Sequence, residues 1–226
     1  MHFADQAVVA EITARMLLEV KAVLFYESKP FVFTSGWASP VYIDCRKIIS
    51  FPRARTKIIY LAVELIEREI GFESLDAVAG GETAGIPFAA WIADRLSLPM
   101  LYVRKKPKGF GRGSQIEGDM KPGCRCLLVE DLATDGGSKV NFVNAVRDAE
   151  GQVKDAFVVF HYGIFPQSVE TLAKLGVRLH GLATWRDMLA AAEAADLLSA
   201  ADAKDVRAFL DDPEGWSAAH GGKVVA

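Results

Sequence analysis

Cysteine is scarce in this chain of 226 residues: Cys45, Cys124 and Cys126 are the only three. They are too few for a disulfide framework, and the Cys124-x-Cys126 pair lacks zinc-finger spacing, so all three read as reduced thiols. Net charge is scarce as well, at −3 with a pI of about 5.9, which removes the global electrostatic footprint of a nucleic-acid binder. No long apolar run is free of charge. The N-terminal stretch from Ala4 to Tyr26 is interrupted by Asp5, Glu11, Arg15, Glu19 and Lys21, a pattern for an amphipathic helix and not for a signal-peptide core or membrane span. A cytoplasmic protein is expected, with neither nucleic acid nor membrane as partner. His2, His161, His180 and His220 show no close metal-ligand spacing, Trp37, Trp91, Trp185 and Trp216 are scattered, and no Ser-His-Asp elbow is visible. A Walker loop and a G-x-G-x-x-G dinucleotide turn are both missing.

The hydrophobic content of 51% suffices for one sizeable globular domain spanning residues 1–226. Val8, Val9, Ile12, Met16, Val20, Val23 and Leu24 recur at helical spacing and predict a long first helix ending before Ser28–Pro30. Phe31 to Ile49 reads as extended, with a turn at Ser35–Gly36. Pro52 suits the first turn of a second helix that stops at Gly71. Short apolar runs then alternate with helical stretches: Leu75–Ala79 before Ile86–Leu96, Met100–Val103, Cys126–Val129 before Val140–Ala149, Ala156–Phe160 before Val169–Leu175, and Val177–Leu182. Such alternation predicts an α/β fold of five or six mostly parallel strands flanked by helices, with its core in residues 71–184. Residues 1–50 and a C-terminal helix are expected to form a small hood over the strand ends. An Ala-rich helical tail should run to about Leu210, followed by a loosely held terminus.

The interval from Arg104 to Pro122 breaks this rhythm, with four glycines, four lysines, two arginines and hardly any apolar residue. A loop of that length in a compact domain is usually either functional or disordered, and its charge calls for a local anion. The most informative segment is Cys126-Leu-Leu-Val-Glu130-Asp131-Leu132-Ala133-Thr134-Asp135-Gly136-Gly137-Ser138-Lys139. An apolar strand aims its end at the crevice where open α/β sheets bind ligands. Gly136 and Gly137 let backbone N–H groups approach a phosphate, and the following helix N-terminus favours negative charge there. Glu130 and Asp131, adjacent on a strand, should point to opposite sides, one toward a ribose diol or hydrated Mg²⁺ and the other toward a cation or backbone partner. Singly, these features are a helix cap and a βα turn; together they make a specific phosphate site.

Those residues resemble the phosphoribosyl pyrophosphate motif of type I phosphoribosyltransferases, two acids followed by a T-x-G-G/T-S-like loop. Two further segments resemble the orotate phosphoribosyltransferases among them. Phe33-Thr-Ser35-Gly36-Trp-Ala-Ser39-Pro40-Val-Tyr42-Ile43-Asp44 is similar to their S-G-x-x-S-P-x-Y-x-D/N element, and Arg104-Lys105-Lys106-Pro107-Lys108-Gly-Phe110-Gly111 to their R-K-x-x-K-x-H-G mobile loop. Gly80 to Pro87 is similar to their pyrophosphate loop, so the likeness covers most of residues 30–140.

The resemblance implies transfer of the phosphoribosyl group to orotate, Mg²⁺ held mainly by substrate, and a homodimer whose mobile loop acts in trans. It implies catalytic roles for Lys108, Asp131 and Glu130. Phosphoribosyl pyrophosphate would be bound by Arg104, Lys105, Lys108, Thr83, Ala84 and the run Glu130, Asp131, Leu132, Ala133, Thr134, Asp135, Gly136, Gly137 and Ser138. Orotate would be bound by Tyr42, Ile43, Thr134 and Tyr162. The sequence departs from the family pattern where Phe110 replaces the loop histidine, where Thr83-Ala84 replaces a Tyr-Lys pair, and where His161-Tyr162 replaces a D-R whose arginine contacts orotate. Arg186 is a candidate substitute for that cation. A phosphoribosyltransferase for another base and a noncatalytic phosphoribosyl pyrophosphate sensor share the same phosphoribosyl side.

Overall fold

The computed structural model describes residues 3–26, 28–33, 36–107, 115–134 and 137–222. Helix α1 (Gln6–Glu19) opens on Asp5, whose carboxylate accepts from the Ala7 N–H at 2.8 Å. It ends earlier than its apolar spacing predicts. Lys21 turns left-handed at φ 54°, and Val23–Phe25 leaves the helix as strand β1, which pairs antiparallel with β4 (Val41–Ile43). A run such as Val20–Leu24 fits both periods, and the pairing partner decides between them. Between them, β2 (Phe31–Val32) and β3 (Ala38–Ser39) make a second small ribbon. Cys45–Ser50, predicted as extended, is a 3₁₀ helix capped by Asp44.

Helix α2 (Pro52–Glu69) starts on its proline as expected, and its Ile58, Ile59, Leu61, Leu65 and Ile66 are buried. The central sheet contains β5 (Ala77–Gly81), β6 (Met100–Val103), β7 (Ile116–Glu117), β8 (Arg125–Ala133), β9 (Gln152–His161) and β10 (Arg178–Thr184). Its order is β10-β9-β8-β5-β6-β7, parallel throughout except for β7, which returns antiparallel beside β6. Helices α3 (Gly85–Leu96), α4 (Gly137–Asp148) and α5 (Gln167–Lys174) are the crossovers. The chain builds from β5 toward β6 on one side and from β8 toward β10 on the other, so β5 and β8 flank a topological switch point.

Alternation along the strands divides the core. Val78, Leu127, Val129, Phe157 and Val159 face a layer formed with Leu17, Ile58, Phe88 and Trp185, whereas Ala79, Cys126, Leu128 and Ala156 face Phe142, Val146 and Leu172. Both faces are dry, which explains why these strands read as unbroken apolar runs.

The tail past Trp185 is three helices, α6 (Trp185–Ala194), α7 (Ala200–Asp211) and α8 (Pro213–Ala219), and α8 corrects the expected loose terminus. Trp216 is 6% exposed, packs edge-on against Tyr26 and Phe209, and donates its indole N–H to Asp205 at 2.9 Å. The other Asp205 oxygen accepts from the Tyr26 hydroxyl at 2.8 Å. Ser217 Oγ accepts from the Ala38 N–H at 3.0 Å, so the end of the chain is bolted to β3. A single aromatic residue in an otherwise polar tail was the available signal. Replacing Trp216 with Ala should cost about 3–5 kcal/mol of unfolding free energy, measured by denaturant titration.

Candidate active site

Two adjacent turns at the C-terminal edge of the sheet form the site. The first follows β8. Because side chains alternate, Glu130 lies on the α4 side with Leu128, and Asp131 on the opposite side with Val129, as the adjacent acids predict. Glu130 Oε2 accepts from Lys139 Nζ at 2.5 Å and from Ser138 Oγ at 3.2 Å. Lys139 Nζ also donates to the Leu132 carbonyl at 2.8 Å and is 2% exposed. Asp131 looks instead toward the 3₁₀ helix, near Cys45 and Arg46. Burial raises the pKa of its carboxyl above the ordinary value and the Glu130 charge raises it further, while Lys139 and Arg46 pull it partly back. Asp131 in turn adds to the effect of burial in raising the Cys45 thiol.

Leu132 is half-buried, Ala133 is buried, and Thr134 is half-buried at the mouth of the turn. Gly137 and Ser138 are exposed and open α4, whose N-terminus favours an anion. Asp135 and Gly136 lie outside the described residues.

The second turn follows β5. A Cβ on Gly85 would stand 2.2 Å from the Val129 carbonyl oxygen, so the start of α3 touches β8 directly. The Glu82–Thr83 peptide bond is cis. Thr83 is exposed and Ala84 half-buried beside it. Glu82 Oε2 accepts from the Lys105 N–H at 2.8 Å, and Asn141 Nδ2 donates to the Lys105 carbonyl at 3.1 Å. The basic segment is thus stitched at its root to the turn after β5 and to α4. Arg104 N–H donates to the Gln115 carbonyl at 2.8 Å, Gln115 Nε2 donates back at 3.0 Å, and the Arg104 guanidinium lies 3.5 Å from Glu117. Arg104 Nε is buried with no hydrogen-bond partner among the described residues. The Lys105 side chain is exposed; Lys108, Phe110 and Gly111 lie outside the described residues.

On the hood side, Phe33 lies against Tyr42 and Tyr162, with ring centroids 6.5 and 6.4 Å away, and Tyr42 is half-buried. The Ile43 side chain is buried in the core, which leaves its main chain as what it can offer a ligand. Tyr162 is 3% exposed and wedged among Phe33, Phe160, Phe165 and Trp185. Burial raises its phenol pKa, and it forms the packed floor under the hood. It brings no positive charge to that floor. Arg186, in α6, forms an exposed ion pair with Asp211 at 2.9 Å. A cation close to Asp131 is Arg46, which the sequence reading did not single out: Asp44 accepts from its N–H at 3.2 Å and its Nε at 2.8 Å, and its charge works against the upward shift of the Asp131 carboxyl. Lys139 was missed too, although a lysine in the first turn of a helix, where the dipole disfavours cations, was a readable signal.

A parallel sheet with this switch point, two acids closing its central strand and a glycine turn opening the next helix define the type I phosphoribosyltransferase fold. The Aeropyrum pernix orotate phosphoribosyltransferase structure superposes with a TM-score of 0.68 at 33% identity, over 81% of this chain and 99% of that one. The Leishmania donovani UMP synthase structure gives 0.75 at 26% identity over 88% of this chain, which spans 42% of that longer protein. The orotate phosphoribosyltransferase of Rhizobium rhizogenes is 54% identical over 222 residues, 98% of this chain and 96% of that protein. No protein-family model matches. The chain belongs to the orotate phosphoribosyltransferase family.

The direct contact at Gly85 makes a stringent test of how the two turns are held together. Gly85→Ala must push α3 away from β8 and should destabilise the protein by about 1–3 kcal/mol, read as a lower midpoint in thermal unfolding.

Proposed function

We propose that the chain transfers the 5-phosphoribosyl group of phosphoribosyl pyrophosphate to orotate, giving orotidine 5′-phosphate and pyrophosphate, a step of pyrimidine biosynthesis. The observation that carries this reading is the pair of turns at the switch point, one acidic and glycine-rich, the other bonded through Glu82 to the root of a basic loop.

Breaking the bond between ribose C1 and pyrophosphate builds positive charge on the sugar and negative charge on the departing group. The enzyme therefore needs preorganised charge more than a strong nucleophile. The N–H groups and hydroxyls of Thr134 to Ser138 receive the 5-phosphate at the N-terminus of α4. Asp131 faces the ribose hydroxyls and favours the developing positive charge, and Glu130 lies on the other side of the strand. Arg104, Lys105 and Lys108, with the backbone at Thr83 and Ala84, hold the leaving pyrophosphate. Tyr42 and the Ile43 main chain border the pyrimidine, Thr134 lies between base and phosphate, and Arg46 supplies the cation for orotate's carboxylate.

Among the described residues no group of three or more His, Cys, Asp or Glu converges to hold a metal. The donors present suit Mg²⁺ that arrives on substrate oxygens and keeps its waters. So held, Mg²⁺ would neutralise pyrophosphate charge. The exposed root of the basic loop suits closure over the neighbouring copy in a homodimer, which would keep water from the activated sugar. No helix among the described residues is long and apolar enough to cross a membrane.

Pyrophosphate release from phosphoribosyl pyrophosphate and Mg²⁺ should require orotate, and should fall about 10–1000-fold in Lys108→Ala and in Lys105→Ala. Release with another base but not orotate would keep the chemistry and replace the substrate; failure to release with any base would overturn the reading. Arg46→Leu should raise KM for orotate at least about tenfold with KM for phosphoribosyl pyrophosphate little changed. Because burial raises the Asp131 pKa and its charged form is the active one, kcat/KM should fall as pH drops through that raised value, on an acid limb above the ordinary aspartate range. Asp131→Asn should remove that limb along with most activity.

A further inference from the structure

Away from the active site, three sulfur atoms stand together at the start of β8. Cys126 Sγ lies 3.6 Å from Cys124 Sγ and 3.8 Å from Met120 Sδ. Cys126 is 2% exposed, whereas Cys124 and Met120 are half-buried, so the innermost sulfur is covered and the other two reach toward the surface. The local backbone fixes this group. The Cys124 N–H donates to the Lys121 carbonyl at 3.1 Å across a turn in which Gly123 takes φ 80°, and the Cys124 carbonyl accepts from the Gln152 N–H at 2.8 Å. Gly151 leaves the space that Met120 fills: a Cβ there would stand 3.0 Å from Sδ and 2.7 Å from the Val146 side chain. Burial, and then the neighbouring Cys124, hold the Cys126 thiol well above its ordinary pKa, so it keeps its proton until something displaces it.

Two thiols and a thioether are soft donors, and soft donors select soft cations. A metal bound to three sulfurs at about 2.3 Å sets them roughly 3.8–4.0 Å apart, against about 4.6 Å for a linear pair. The two separations given above match the three-sulfur arrangement to within a few tenths of an ångström. Zinc would ask for a fourth donor, and among the described residues no group of three or more His, Cys, Asp or Glu converges to supply one. We infer that Met120, Cys124 and Cys126 form a binding site for a monovalent soft cation of the copper(I) class, separate from the site of phosphoribosyl transfer. Binding sends two thiol protons to solvent and forms three metal–sulfur bonds, with no change of oxidation state. The single negative charge left on the site lies near Arg125, whose guanidinium feels the Cys124 charge and also holds Asp76. The site is at the opposite end of β8 from the two acids, about 13 Å along the strand from Cys126 to Glu130. Met120 belongs to the connection between β7 and β8, so an occupied site ties that connection to the central strand.

The test uses the full-length protein, reduced and free of oxygen, titrated with copper(I) in competition with a chromophoric copper(I) chelator. One equivalent per chain should bind, with thiolate-to-copper absorption in the near ultraviolet and an X-ray absorption spectrum showing three sulfurs at about 2.3 Å. Cys124→Ser should weaken binding at least about a hundredfold, and Met120→Leu about tenfold with one sulfur fewer around the metal. Cys45→Ala, which alters the one cysteine outside the group, should bind as wild type does. Copper(I) should also raise the midpoint of thermal unfolding of wild type, since the folded chain alone assembles the three sulfurs, and that rise should vanish in Cys124→Ser.

Wild type that cannot take copper(I) from the chelator overturns the inference. Binding undiminished in Cys124→Ser, or lost in Cys45→Ala, overturns it too, because the metal would then sit elsewhere. Met120→Leu that binds like wild type reduces the site to a cysteine pair and overturns the three-sulfur assignment. Zinc(II) that displaces copper(I) at equal concentration overturns the choice of cation. Should Cys124→Ser fail to fold, Cys124→Ala decides by the same criterion.

Discussion

Everything in this molecule is arranged around one strand that must be apolar on both faces and yet end in charge. From Cys126 to Val129 β8 is buried on both sides, held between β5 and β9. Its next two residues are carboxylates. The strand's twofold alternation sends them to opposite sides, and each side must then supply what a buried charge needs. On one side that is Lys139; on the other it is the more open neighbourhood of Arg46 and the hood. The neighbouring layers follow from this arrangement: α3 comes close enough to touch the Val129 carbonyl, and α4 begins at Gly137, shortly after β8 ends. The charged end of the central strand is stabilised locally by side chains that the rest of the fold positions, and a buried charge left without them would be costly.

How much of this could be read from the chain follows the distance over which each signal acts. Met100–Val103 was legible as a strand and Pro52–Glu69 as a helix because local periodicity, a proline and a glycine stop agree with their burial. The acids and the glycine turn were legible because their spacing is short. Val20 to Phe25 misled, since one apolar run fits a helical and a strand period, and only its pairing with Val41–Ile43 settles the matter. Strand β7 is two residues long and had no sequence signal beyond its edge pairing. The terminal helix was hidden in a polar tail whose one cue, Trp216, becomes meaningful only when Asp205 and Tyr26 come near it.

The functional side chains divide in the same way. Residues whose role depends on their own backbone, such as Gly137 and Ser138 at the helix start, could be named from the sequence. Lys139 could not be, because its meaning lies in Glu130 on another element, and Arg46, bonded to its near neighbour Asp44, comes close to Asp131 only through the fold. Conversely, Tyr162 carries suggestive chemistry by position in the chain, but four aromatic rings enclose it. A side chain's chemistry is available to a ligand only after the fold's own demands on it are met.

The hood unites segments far apart in sequence: Tyr26 reaches Asp205 and Ala38 reaches Ser217, each across 179 positions. The central sheet, by contrast, pairs consecutive strands everywhere except between β5 and β8, some 49 positions apart. During synthesis the sheet and its phosphate turn are complete well before Ser217 emerges, while the early ribbons of the hood must wait for their last partner. The two turns at the sheet edge can therefore form while later parts of the chain are still being made, whereas the early ribbons stay incomplete until Ser217 is available.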